Sequence, residues 1–312
     1  LIRVRFLKPL LICLCLIAFL GVSSVTSAAT FSHTQESILY VKPGATGNCG
    51  SWVDACNLQT ALTKAMAGDQ IWVTAGTYKP TTITDRAANF QLITGVAIYG
   101  GFAGTETNLA ERDWVNNITT LSGDIGIPDD KTDNSYHVVI GSGVNFSAIL
   151  DGFTITAGYA TPYSSHPNGG GMYIDSGSPT LKNITFLDNL AMMGGAISNN
   201  NGDPLVENVS FLDNSASLYG GGIYNTGNSH PTFVEVVFST NTAEYSGGGM
   251  YNTMNSSPTL SKVTFNNNTA VYYGGGITNH GSGRSTLTDV TFSGNSAPRG
   301  GGIYNYFVNS IL

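Results

Sequence analysis

Apolar positions in the second half of this chain recur in a fixed phase. Each unit opens with a stretch of strand character, "PTLKNITF", "PLVENVSF", "PTFVEVVF", "PTLSKVTF" and "STLTDVTF", ending on Phe186, Phe211, Phe238, Phe265 and Phe292. Val263 and Phe265 point to one side and Thr264 to the other, as a half-buried strand requires. Leu260 is out of phase with Val263, which predicts a bulge or bend between them. A second short strand follows each glycine run, as in "GGGIYN", with Met172, Ile197, Ile223, Met250, Ile277 and Ile303 at its apolar position.

The phenylalanines are spaced by 25, 27, 27 and 27 residues. Asn189, Asn214, Asn241, Asn268 and Asn295 stand three residues after them, and Ala191, Ala216, Ala243, Ala270 and Ala297 five after. A fixed period of this size marks stacked units. One such unit cannot bury its own apolar face, whereas a stack with equivalent residues ~4.8 Å apart can. The predicted fold is all-β, a parallel β-helix (solenoid). Its phenylalanines stack in the core, its asparagines cap turns by bonding to backbone and to one another, and alanine and glycine fit where the coil is tight or φ is positive.

Upstream, "LQTALTKAMAGD" places Leu58, Ala61, Leu62, Ala65 and Met66 on one face of a helix, predicted to cap the open N-terminal end of the coil. The segments "DQIWVTAGTY", "GVAIYGGF", "HVVIGSG" and "AILDGFTITAG" are expected to form irregular first rungs. "YATPYSSHPN" (residues 159–168) lengthens one repeat and is predicted as a loop leaving the wall. The chain thus divides into residues 1–29, an N-terminal segment with the capping helix (30–68), irregular rungs (69–158) and regular repeats of about 27 residues (159–312).

Arg3, Arg5 and Lys8 precede an apolar run over residues 10–22 and small residues ending at Ala28 and Ala29, the pattern of a secretory signal peptide. The run is shorter than the ~20 apolar residues of a membrane span, and no later segment approaches that length. The mature chain is therefore expected to be exported, without a transmembrane segment. Cleavage would leave 10 basic residues against 20 acidic ones, which argues against nucleic acid as a partner. Cys13 and Cys15 would leave with the signal, while Cys49 and Cys56 in "NCGSWVDAC" are predicted to form a local disulfide. Without histidines nearby they make a poor zinc site. The chain starts at Leu1 and stops inside a unit after "YFVNSIL", so it is expected to be incomplete.

The paired motifs F-x-x-N and G-G-[AG]-[ILMV], both present in "FLDNLAMMGGAI" (residues 186–197), resemble the repeats of chlamydial polymorphic outer membrane proteins. The leader "LYVKPGATGNCGSWVDACNLQTALTKAMAGDQIWVTAGTYKP", with "YGGFAGTETNLAERDW" and "LSGDIG", resembles the N-terminal part of a broader group of exported bacterial right-handed β-helix proteins. Together these cover about residues 40–305. The resemblance implies a right-handed coil and a non-enzymatic display or adhesin-like role at the cell surface, associated with the outer membrane. Partners expected for such a role are an extracellular polysaccharide or a host or neighbouring cell-surface protein.

Parallel β-helices also carry polysaccharide lyases and hydrolases, so a carbohydrate-active enzyme or a carbohydrate-binding module is the alternative. Such catalysis needs clustered carboxylates, or carboxylates holding calcium beside a basic residue. The best candidates are Asp188 and Asp213, neighbours in adjacent rungs, although their column continues as Thr240, Asn267 and Gly294, as a solvated turn would. A second column, Asn183, Asn208, Glu235, Lys262 and Asp289, is expected to pair across rungs. The loop "GDIGIPDDKTDN" offers Asp124, Asp129, Asp130 and Asp133 as calcium ligands, without EF-hand spacing, and no other cofactor is expected. The glycine triplets lack the lysine and serine of a phosphate loop. Tyr173, Tyr224, Tyr251 and Tyr304 share one position after the glycine runs, interrupted by Ser198 and Thr278. Facing outward, such a stripe would stack on sugar rings; the alternative is that the tyrosines pack on one another.

Overall fold

The computed structural model describes residues 37–160 and 166–307. Within them the chain coils into a parallel β-solenoid whose walls are four sheets. The first sheet has nine strands, from Ile38–Val41 to Thr286–Thr288, and the second has eight, from Gly76–Tyr78 to Thr291–Ser293. The third has five, from Tyr159–Ala160 to Thr269–Ala270, and the fourth eight, from Phe90–Gln91 to Ile303–Tyr306. The expected signal peptide (1–29), residues 161–165 of the expected loop and residues 308–312 lie outside the described residues.

The corners follow from backbone conformation. "PTLSKVTF", expected as one strand, is two, Thr259–Ser261 and Thr264–Asn266. Between them Lys262 adopts φ +55°, and its column mates Asn183, Asn208, Glu235 and Asp289 do the same. This is the bend that the phase of Leu260 demanded. Asp188, Asp213, Thr240, Asn267 and Gly294 form a second left-handed corner, and Gly194, Gly220, Gly247, Gly274 and Gly300 a third. A Cβ on Gly220 would run into the carbonyl of Ile223, so this corner admits only glycine.

Phenylalanine rings stack inside the coil at centroid spacings of 5.1, 4.6, 4.6 and 5.1 Å from Phe186 to Phe292. Beside them the buried asparagines form a ladder. Asn241 Nδ2 donates to Asn268 Oδ1 (2.9 Å) and to the Phe211 carbonyl (2.8 Å), while its own Oδ1 accepts from the backbone N–H and Nδ2 of Asn214. Each carboxamide therefore ties its rung to both neighbours. A second ladder, absent from the sequence reading, joins Asn199, Asn225, Asn252, Asn279 and Asn305 by side-chain bonds of 2.8–3.1 Å.

Several expectations need correction. Ala191, Ala216, Ala243 and Ala270 belong to the third sheet, because the residues after their asparagines pair as strands rather than as turn. Tyr159 and Ala160 are not in a loop but pair with Leu190 and Ala191 of that sheet. The capping helix is only Leu58–Lys64, started by the Asn57 side chain accepting from Thr60 N–H. Leu58, Ala61 and Leu62 are buried, whereas the chain turns extended at Ala65 and leaves Met66 53% exposed. The charged column sits at a corner instead of along a strand, and pairs there through Lys262 and Glu235 (2.9 Å). Near the helix, Cys49 and Cys56 are joined as a disulfide, and Tyr40, Trp52, Trp72 and Phe102 cluster.

Candidate functional site

The residues flanking the glycine corner stack in two columns, in which Ser246, Tyr251 and Thr278 are buried. Before the glycines stand Tyr219, Ser246, Tyr273 and Arg299, bridged rung to rung. After them stand Tyr224, Tyr251, Thr278 and Tyr304, in parallel register. The columns meet on the diagonal. Tyr219 packs on Tyr251 one rung later at 4.6 Å, and Tyr273 packs on Tyr304 at 4.7 Å. Between these two pairs the diagonal is occupied by small residues, Ser246 and Thr278, whose hydroxyls bond at 2.9 Å.

Two tyrosine walls with a serine–threonine floor make a slot, which the exposed ring of Tyr245 shares, 5.3 Å from that of Tyr219 and 6.1 Å from that of Tyr273. Its cavity is about 460 Å³. The walls are two rungs apart, ~9.6 Å at ~4.8 Å per rung. His280 also lines the slot, its ring lying between those of Tyr251 (6.0 Å) and Tyr306 (5.2 Å). Arg299 holds its guanidinium 5.6 Å from the centre of the Tyr273 ring. Among the described residues no carboxylate lines the slot. Burial, reinforced by neighbouring phenols, pushes the Tyr251 hydroxyl well above the ordinary tyrosine range, and Tyr219 and Tyr224 move the same way. The Tyr219–Tyr251 wall therefore presents neutral hydroxyls at any physiological pH.

Of the expected stripe, the slot unites Tyr224, Tyr251 and Tyr304. Tyr173 lies apart from it, against His137 (5.2 Å), in a second cavity of about 220 Å³ shared with His166 and Tyr136. The column before the glycines was missed, although "LYGGG", "YSGGG" and "YYGGG" carry its signal in plain view. The interruption at Thr278, which weakened the stripe as a sequence pattern, is what opens the slot.

Asp188 and Asp213 occupy the left-handed corner at φ +48° and +55°. Aspartate, asparagine and glycine tolerate this conformation best, which accounts for most of the column without chemistry. Asp188 is exposed and pairs with Lys131 at 3.2 Å. In the acidic loop, Asp124 pairs with Lys79 (3.1 Å), Asp130 accepts from Thr132 N–H, and Asp133 accepts from Ile127 N–H. Asp129 instead donates its backbone N–H to Asp124. Among the described residues no three histidine, cysteine, aspartate or glutamate side chains are grouped to hold a metal, and no helix is long and apolar enough to cross a membrane.

The family model for the right-handed β-helix region matches residues 133–297, and that for the Chlamydia polymorphic membrane protein repeat matches residues 289–306. No curated protein matches the chain. Among solved structures, the pectate lyase Pel9A is similar at 16% identity and a TM-score of 0.43, with 89% of this chain and 78% of that one covered. A variant of the PL6-family alginate lyase AlyGC is similar at 13% identity and a TM-score of 0.40, with 89% of this chain and 38% of that one covered.

Proposed function

This chain belongs to the right-handed β-helix family, and from that premise we propose that it is an exported cell-surface protein of display or adhesin-like type that grips glycans in its tyrosine slot. The observation that carries this reading is the small Ser246–Thr278 diagonal between two tyrosine pairs. A flat aromatic guest touching both walls would fill about 7 Å, at ~3.5 Å per contact. A puckered pyranose is thicker, and within the ~9.6 Å between the walls it would pack on the rings of Tyr245 and His280 as well. Tyrosine faces offer such a ring apolar contact, and exposed phenols such as that of Tyr245 can bond sugar oxygens. The signal-like leader and the resemblance to chlamydial surface repeats support the location.

The test is an array of plant, algal and bacterial polysaccharides, with and without calcium, scored for retention and for release of reducing or unsaturated ends. The native chain is expected to be retained without releasing ends, and a Tyr251→Ala, Tyr304→Ala double variant, checked for folding, to be washed off. Release of ends would overturn the proposal in favour of a polysaccharide-cleaving enzyme and direct attention to Asp188 and Asp213. Retention that needs calcium would point to Asp124, Asp129, Asp130 and Asp133. No retention at all would overturn the slot reading and leave a protein receptor as the partner.

A further inference from the structure

We infer that the slot selects sugars bearing an anionic substituent, and that Arg299 is the residue that recognises it; this rests on the slot being a sugar site. Arg299 stands in the column that carries Tyr273, Ser246 and Tyr219 in the preceding rungs, so its guanidinium is held at the edge of the Tyr273–Tyr304 wall. The side chain is exposed, lines the slot and enters no ion pair among the described residues.

The charge around it is unusual for this protein. The whole chain has 20 acidic residues against 13 basic ones, yet no carboxylate lines the slot among the described residues. The slot offers hydroxyls and the permanent positive charge of Arg299, with no carboxylate among the described lining residues to offset it. A neutral sugar can use the walls and the floor only. A carboxylate or sulfate on the same ring can also take parallel N–H bonds from the guanidinium, whose planar fork matches either group. Next to aromatic walls that displace water, that bond is stronger than at an open surface. Because Arg299 flanks a single wall, the charge is read at one place on the sugar instead of all along a chain.

The experiment is calorimetric titration of the full chain, in the presence of a chelator, with three hexasaccharides: an oligogalacturonide, the same oligomer fully methyl-esterified, and a sulfated galactan. The oligogalacturonide or the sulfated oligomer is expected to bind about tenfold more tightly than the ester, the gain expected of one charge-assisted contact. The tighter of the two identifies the substituent. In Arg299→Gln the ratio of charged to esterified affinity should collapse to about one. Equal affinities for all three, or an Arg299→Gln chain that keeps the ratio, would overturn the inference while leaving the sugar reading intact. Failure of all three to bind would remove the sugar reading itself.

Discussion

At the scale of single residues, the asparagine column shows how one side chain organises three rungs. Asn241 is fully buried, and its carboxamide both donates and accepts across the stack. Asn241→Ala would strand the Phe211 carbonyl and the Asn214 side chain at once. At about 1–3 kcal/mol for each unsatisfied buried group, the loss should reach roughly 2–6 kcal/mol, measurable as a lower denaturation midpoint. His137 gives a pH signature. It is 7% exposed, and burial, aided by His166 nearby, depresses its pKa from 6.5 to about 4. Above pH 6.5 both folded and unfolded chains hold it neutral, and its contribution is complete. Below that value the unfolded chain takes up a proton that the folded chain refuses, so stability falls as pH drops toward 4, by up to about 3 kcal/mol. His137→Gln should flatten this slope in denaturation curves recorded between about pH 7.5 and about pH 4.5.

At the scale of elements, corners and strands were unequally legible. The Phe–x–x–Asn spacing and the glycine runs exposed the stack, since buried columns and left-handed corners restrict residue type. The third sheet was not legible, because strands as short as Thr242–Ala243 and Thr269–Ala270 cannot show alternation. The end of the capping helix was hidden as well: Ala65 and Met66 keep the apolar spacing that the backbone has already abandoned at Ala65. The corners also predict where the fold is strained. Thr240 is β-branched and sits at φ +56° in a column otherwise filled by aspartate, asparagine and glycine. Thr240→Asn should therefore stabilise the protein by about 1 kcal/mol, seen as a higher melting temperature. A lower melting temperature would show that Thr240 makes a compensating contact at that corner.

At the scale of the whole molecule, stacking converts local substitutions into a surface. The regular rungs repeat the same corner, so small residues such as Ser246 and Thr278 among large ones leave a recess in the wall. The candidate site was half legible for this reason. The tyrosines after the glycines could be lined up from sequence, but their pairing with Tyr219 and Tyr273 depends on the diagonal that only the coil creates. The same logic supplies a variant that closes the slot. Tyrosine already stands before and after Thr278 in its column, at Tyr251 and Tyr304. Thr278→Tyr should therefore fold while filling the gap.

The central claim is best tested by titrating the native and Thr278→Tyr chains with both charged hexamers, the oligogalacturonide and the sulfated galactan, and recording the thermal unfolding of both chains. The account predicts binding by the native chain, a melting temperature that the substitution leaves essentially unchanged, and an affinity at least about tenfold weaker in the filled variant. A folded Thr278→Tyr chain that binds as tightly as the native one, or a native chain that binds neither hexamer, would contradict it.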